Sequence, residues 1–392
     1  MKDQPLQMKL IFILNHYAHN SSSHFFHIIH LLETLGQKGV EIALIIEKCH
    51  EKPIVSSPNV RIFAVNKFRW FRPFFLAHLL FKLNKEGFHR VFTRISTVAA
   101  VISIIVAYFT KQKTYYWQST QGSHEHYQSL KAGSEKLLFW IKSELPFWFI
   151  KKYITHFVTG PEFMRRYYFN CLGVSLSKII VLYNDVDTDR FKPVDETQKK
   201  LLRKKWNVPE NTTLFLFVHR FSPVRKTDYY FPFLTDEFYK WNPSADCSFF
   251  FAGGGPEKKS IEASLKKADY GDKIIFSDNV PNAEIHEIYQ MSDIFIQPSW
   301  AEGFPRTLIE AMACGLPVVA TSAGGVLDVL GQKQESYVVE VDDRFGFLQR
   351  ISGLYNDTRM LQALSVENLN QSKKFSTSAV ADMYIHRIFA IE

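Results

Sequence analysis

Residues 298–319 read PSWAEGFPRTLIEAMACGLPVV. The stretch follows the apolar run Ile294 to Gln297, opens with a Gly-containing loop, enters a helical pattern near Arg306 or Thr307, and leads into a second apolar run, Pro317 to Ala320. A strand, a short loop and a helix in that order aim unpaired backbone N–H groups and the positive end of the helix dipole into the crevice above the strand ends, where α/β folds bind ligands. That end of a helix suits a diphosphate. Glu302 lies in the loop and Glu310 one turn into the helix, so two carboxylates eight positions apart can face one ligand. Leu308, Ile309, Ala311 and Met312 flank Glu310, and an unpaired carboxylate there is costly to bury, so a hydroxyl or cation partner is expected. An isolated pair of this kind is more often a solvated surface; the setting of strand, loop and helix favours a ligand.

The same alternation extends outward. Upstream come strand patterns at Leu214 to Val218, Ser248 to Ala252 and Lys273 to Phe276, with helical patterns near 228–241, 257–267 and 283–291. The first half repeats it, from KLIFIL at 9–14 through an amphipathic stretch near 25–36 to Val40–Ile46, then strand patterns at 60–65, 90–93, 114–118, 156–159 and 179–182. Asn184 to Pro193 (NDVDTDRFKP) is polar and carries a Pro, as a connection between domains does. The expectation is an α/β protein of two Rossmann-like doubly wound domains facing a central cleft: 1–187, and 188–374, with a C-terminal helix at 375–392 returning to the first.

Composition agrees. A chain of 392 residues exceeds what one core usually supports. It is 46% hydrophobic and 22% charged, with 35 Phe and 17 Tyr, which describes an aromatic globular protein. The four cysteines lie far apart without a CxxC pair, so neither a zinc site nor a disulfide framework is indicated and a reducing cytoplasm is expected. Leu10 to Leu14 is too short for a signal-peptide core. The longest uncharged stretch, Ile95 to Thr110, falls short of the ~20 apolar residues of a membrane span and reads as a buried helix. Residues 1–187 hold 23 Lys and Arg against 12 Asp and Glu, a balance of +11; the remainder holds 24 against 27, or −3. A basic first half suggests contact with phosphates or lipid headgroups. Nucleic acid is a poorer fit, since no zinc-finger, RNP or helix-turn-helix pattern accompanies the charge.

The segment Glu302-GFPRTLI-Glu310-AMACGLPVV resembles glycosyltransferase family 4, retaining enzymes of GT-B fold whose hallmark is Glu, seven residues and Glu, followed by an Ala-Met-Ala-x-Gly-x-Pro-Val-Val run. By that resemblance Glu302 contacts donor-sugar hydroxyls and supports positive charge near the anomeric carbon, while Glu310 accepts both ribose hydroxyls. Gly303, Phe304 and Pro305 would line the sugar, and backbone groups of Arg306, Thr307 and Leu308 the phosphates; Pro305 has no N–H to donate. RFSPVRK at 220–226 resembles the family's diphosphate clamp, which assigns Arg220 and Lys226 to the leaving group, with Arg225 assisting. His219 and Thr227 stand where the family often has Gly. Gly253-Gly254-Gly255-Pro256 resembles its Gly-x-Gly-Pro turn, Asp278, Asn279 and Val280 follow the strand whose loop meets the nucleobase, and Gly324-Gly325 resembles a signature near the sugar. In the first half the loop HNSSSH replaces a usual Gly-Gly, and Gln121-Gly122 replaces His-Gly, with His124 and His126 just beyond; His124 is the candidate partner of sugar or attacking hydroxyl.

The reading that follows is a retaining, metal-independent hexosyltransferase moving sugar from a nucleotide-sugar donor to a sugar or lipid-linked acceptor, in cell-envelope polysaccharide or glycolipid synthesis. No cofactor is expected. A catalytically inactive sugar-nucleotide-binding partner and a GT-B sugar-nucleotide epimerase are the alternatives. Lys67 to Lys82 and Lys136 to Lys152 combine aromatic and aliphatic residues with flanking cations, as interfacial helices do, although helices covering the first sheet would read the same way. An anionic membrane surface is therefore a candidate partner, and the expected location is cytoplasmic, peripheral on the inner face.

Overall fold

The computed structural model describes residues 8–17, 26–49, 51–65, 70–119 and 133–390. The chain forms two compact units, one of Met1–Tyr183 with Thr377–Glu392 and one of Asn184–Ser376.

In the first unit, β1 (Lys9–Tyr17), β2 (Glu41–Cys49), β3 (Val60–Ala64), β4 (Arg90–Arg94), β5 (Lys113–Trp117), β6 (His156–Thr159) and β7 (Ile179–Val181) form one parallel sheet in the order β3-β2-β1-β4-β5-β6-β7. Leu10 to Leu14 and Ile42 to Ile46 are buried without interruption, as strands covered by helices on both faces must be. The order reverses between β1 and β4, which opens a crevice at their carboxyl ends. The last helix, Thr377–Phe389, belongs to this unit. Val380, Ala381, Tyr384 and Ile388 join the core of Phe92 and Tyr115, and the Ile388 carbonyl accepts from the Arg90 Nε–H at 3.0 Å and the Tyr115 hydroxyl at 3.2 Å.

Helices Arg72–Lys85, Thr97–Thr110 and Leu145–Tyr153 cover one face of this sheet. Each buries a single face: Leu76, Leu79, Leu80 and Leu83 on the first, and Ala99, Ala100, Ser103, Ile104 and Val106 on the second. The stretch 97–110 is therefore not the buried helix its composition suggests. Tyr108 and Phe109 are exposed, on the side of the helix away from Ala99, Ala100, Ser103, Ile104 and Val106. No helix among the described residues is long and apolar enough to cross a membrane.

In the second unit, β8 (Thr213–Val218), β9 (Cys247–Ala252), β10 (Ile274–Ser277), β11 (Ile294–Gln297), β12 (Val318–Thr321) and β13 (Val338–Val339) form a parallel sheet in the order β10-β9-β8-β11-β12-β13. Its core is built of phenylalanine: Phe215 stacks on Phe249 at 4.8 Å, and Phe251 meets Phe231 at 4.8 Å and Phe276 at 5.2 Å. The reversal here falls between β8 and β11, so the loops after those two strands share one crevice.

Phe251 is fully buried among five rings, so Phe251→Ala should remove about 3–5 kcal/mol of stability. Urea denaturation of the two proteins checks this; a loss below ~1 kcal/mol would contradict the packing described.

Candidate active site

Two loops meet at the β8/β11 crevice. The loop after β11 carries Glu302, whose side chain is 4% exposed. The Arg220 backbone N–H donates to His219 Nδ1 at 2.8 Å. His219 Nε2 stands 2.7 Å from Glu302 Oε1 and 3.0 Å from Arg225 Nε, so the three side chains meet at one point. Arg225 Nε (3.3 Å) and the Ser299 hydroxyl (3.0 Å) donate to the same oxygen. Burial pushes the Glu302 carboxyl up, but His219, Arg225 and Ser299 outweigh it and hold the group at about 2. The loops are also tied through their backbones, the Trp300 N–H donating to the Arg225 carbonyl at 3.2 Å. The Lys226 ammonium lies 3.2 Å from the centre of the Trp300 ring.

Glycine makes this approach feasible. Gly255 has φ of +143°, and a Cβ there would strike the Phe221 carbonyl oxygen; Gly324, at φ +56°, has the carbonyl oxygen of Glu302 in the same place. The turn at 253–256 thereby lies against the loop after β8, with the Phe221 N–H donating to the Gly254 carbonyl at 3.0 Å. The Gly325 N–H donates to the Gly303 carbonyl at 3.2 Å and fixes the loop of Glu302 from the other side.

Glu310 lies on the helix Arg306–Ala313 with 9% side-chain exposure. Tyr289 donates to its Oε2 at 2.8 Å, and Arg306 Nε stands 3.3 Å from Oε1. Burial raises the Glu310 carboxyl against the pull of Arg306, Tyr289 and Arg190, and Asp185 adds to the rise. The carboxylate is thus less fully compensated than Glu302.

Of the three amides expected on a phosphate, that of Arg306 donates to the Phe304 carbonyl at 2.9 Å and that of Leu308 to the Pro305 carbonyl at 3.1 Å. Thr307 N–H alone among them has no backbone partner among the described residues. Phe304 packs on Phe375 at 6.0 Å, and Pro305 precedes the helix at φ −80°. Arg220 is exposed and does not bond Glu302; Arg225 does. Gly254 lies beside Asn279, itself exposed, while Val280 is buried and Asp278 pairs with Lys258 at 2.5 Å. His124, Gln121 and Ser21–Ser23 lie outside the described residues. Among the described residues no group of three His, Cys, Asp or Glu could hold a metal ion.

The two departures from glycine carry bonds of their own. His219 clasps Glu302, and the buried Thr227 hydroxyl accepts from the Ser222 N–H at 3.0 Å and donates to Glu257, fastening the loop after β8. Sequence reading passed over His219, Ser299, Trp300 and Tyr289 as functional residues. The signal available for His219 was its place directly after a strand.

Residues 198–370 match the family model described as glycosyl transferases group 1. The chain carries a group 1 glycosyltransferase domain. N-acetyl-alpha-D-glucosaminyl L-malate synthase of Bacillus anthracis is 28% identical over 182 residues, 46% of this chain and 45% of that protein. D-inositol 3-phosphate glycosyltransferase 2 of Catenulispora acidiphila is 24% identical over 215 residues, 53% of this chain and 50% of that protein. The chain thus spans about half the length of these curated relatives. It spans 80% of itself and 79% of the N,N'-diacetylbacillosaminyl-diphospho-undecaprenol alpha-1,3-N-acetylgalactosaminyltransferase of Campylobacter jejuni, at 23% identity. Among solved structures, Anabaena Alr3699/HepE in complex with UDP superposes with a TM-score of 0.74 over 98% of this chain and all of that one, at 14% identity. Sucrose-phosphate synthase of Thermosynechococcus elongatus does so at 0.73, with 17% identity over 98% of this chain and 100% of that one. The group 1 domain sits in a chain of GT-B fold.

Two outcomes follow. Because Glu302 is held below the ordinary carboxylate value of 4.5, the stability it contributes is complete above that pH and is lost as the pH falls towards 2. Carboxyl NMR titration should find Glu302 near 2 in the natural protein and clearly higher in His219→Ala; an unmoved value would show that His219 does not hold it. Gly324→Ala should cost about 1–3 kcal/mol in thermal unfolding, since it combines positive φ with a backbone collision; an unchanged melting temperature would contradict the close approach.

Proposed function

We propose that the chain is a retaining glycosyltransferase that moves a sugar from a nucleotide-sugar donor to an acceptor hydroxyl, without a metal, in the synthesis of a cell-envelope or surface polysaccharide or glycolipid. The observation that carries this reading is the pair of buried carboxylates, Glu302 and Glu310, flanking the amino end of the helix Arg306–Ala313 at the carboxyl ends of β8 and β11. The relatives support its biological setting. They include a putative teichuronic acid biosynthesis glycosyltransferase of Bacillus subtilis and the Campylobacter enzyme, whose name specifies a diphospho-undecaprenol acceptor. The HepE structures with UDP and with UDP-glucose support a nucleoside-diphosphate donor.

In this mechanism the acceptor hydroxyl approaches on the face from which the nucleoside diphosphate departs, and a diphosphate oxygen takes its proton. Configuration is retained and no carboxylate nucleophile is used. Arg220, Lys226 and the Thr307 amide stabilise the leaving diphosphate. Glu302, already ionised and held through Oε1, offers its other oxygen to donor-sugar hydroxyls and to the charge that develops at the anomeric carbon. Glu310 accepts the ribose hydroxyls, displacing or sharing the bond from Tyr289. His124 is the first-unit candidate for the acceptor hydroxyl. We place the activity in the cytoplasm, at the inner face of the membrane, a placement supported by the dispersed cysteines and the basic first half.

Thermal-shift screening of UDP-, GDP- and ADP-sugars should find one base that raises the melting temperature. With that donor, Glu310→Ala should weaken nucleotide binding about 10- to 100-fold, the loss of hydrogen bonds to a charged acceptor. Glu302→Ala should leave binding nearly intact and lower turnover about 10²–10³-fold. Transfer and donor hydrolysis unchanged in both variants would remove these roles, and nucleotide binding without either activity in the natural protein would indicate an inactive partner.

A further inference from the structure

Glu302 is held through one oxygen only. His219 Nε2 at 2.7 Å, Arg225 Nε at 3.3 Å and the Ser299 hydroxyl at 3.0 Å all meet Oε1, and no described residue bonds Oε2. A carboxylate free to turn about its last bond exchanges its two oxygens; three partners on one of them fix which oxygen stays open. His219 makes the shortest of the three contacts. Ser299 shares a loop with Glu302 and moves with it, and Arg225 reaches the carboxylate from the end of a long side chain. His219 alone combines a short side chain with a base on the other loop.

That base is rigid. The His219 backbone N–H donates to the Ala252 carbonyl at 3.1 Å, which carries the pairing of β8 with β9 one residue past Val218. The ring lies beside the buried Phe217, with centroids 6.3 Å apart, and Nδ1 accepts from the Arg220 backbone N–H at 2.8 Å. Both torsions of the side chain are thereby set by the protein itself, before any ligand enters. Nε2 stands 3.0 Å from Arg225 Nε as well, so the one ring places the guanidinium together with the carboxylate. Glycine, which the resemblance leads one to expect at 219, has no side chain to do this.

On the transfer reading above, we propose that His219 is a positioning residue for the donor sugar: by holding Oε1 of Glu302 it presents Oε2 alone, so that Glu302 accepts from a single sugar hydroxyl and not from a vicinal pair. Glu310 is not committed in this way, since Tyr289 bonds its Oε2 while Arg306 stands beside Oε1. The sugar selected carries a hydroxyl at the one carbon opposite Oε2, and its other substituents are read by other groups. Because His219 acts through the carboxylate, binding of the nucleoside diphosphate does not depend on it.

The test uses the whole protein, with UDP, GDP and ADP as binding probes and UDP-glucose, GDP-mannose and ADP-glucose as donors. Turnover is read as release of the nucleoside diphosphate by donor hydrolysis. His219→Ala should lower kcat about 10- to 100-fold, the scale of a misplaced group, while the Kd of the nucleoside diphosphate stays within about two-fold of the natural value. His219→Gln, whose amide keeps one donor and one acceptor, should restore most of the turnover. His219→Phe, which fills the place of the ring with neither, should not. If Phe restores turnover as well as Gln does, the ring only packs and the proposal falls. A rise in Kd as large as the drop in kcat would put His219 on the phosphates and overturn it too. Monodeoxy derivatives of the accepted donor test the single hydroxyl. One of them should be turned over about 10- to 100-fold more slowly by the natural protein, and that loss should not add to the loss from His219→Ala. Two derivatives equally impaired, or additive losses, contradict the presentation of Oε2 alone. A natural protein that hydrolyses none of the three donors removes the transfer reading, and this assignment with it. Hydrolysis in the natural protein that its His219 variants match removes the role of His219 alone.

Discussion

A carboxylate that is almost wholly buried must be compensated where it stands, and the compensation of Glu302 organises the second unit. Its three partners come from two loops that are distant in sequence and adjacent only because β8 and β11 are neighbours at the reversal of strand order. To bring His219 and Arg225 onto one oxygen, the loop after β8 must lie close to the turn at Gly255 and the loop after β11 close to Gly324, with no room for a Cβ at either. The bond from Trp300 N–H to the Arg225 carbonyl and the seat of Lys226 on the Trp300 ring follow from the same closeness. The crevice is thus ordered from within, and a ligand entering it meets a charge distribution already in place, which is what electrostatic stabilisation of a departing diphosphate requires.

Much of this was legible in one dimension. Parallel strands covered on both faces leave continuous apolar runs, so β1, β2, β8, β9 and β11 could be read to within a few residues. The segment 298–319 disclosed both carboxylates, because its strand, loop, helix and glycine pattern is local. What escaped was non-local or too small. Nothing in the order of residues says that His219 will touch Glu302, since that depends on which strands pair. Nor does the helix pattern show that the Arg306 amide turns back onto Phe304. β13 has two residues, less than any periodicity can reveal. Helices with apolar residues on both sides, such as Arg72–Lys85, look alike whether they cover a sheet or face a lipid; the structure separates Leu76, Leu80 and Leu83 from Phe71 and Phe74.

The two units divide the chemistry by charge and by surface. The second, weakly acidic overall, sets Arg225 beside Glu302 and Arg306 beside Glu310 at its crevice. The first, with a balance of 23 cationic against 12 acidic residues over 1–187, spreads lysines among exposed aromatic side chains.

The central claim is that a nucleoside diphosphate settles in the crevice held by Glu302. Hydrogen exchange read by mass spectrometry, with UDP, GDP and ADP each at saturation, tests it directly. The account predicts that one of them slows exchange in peptides covering 219–227 and 298–310, the Thr307 amide included, while the sheet interior stays unchanged. Protection confined to other segments, or none with any of the three, would contradict it.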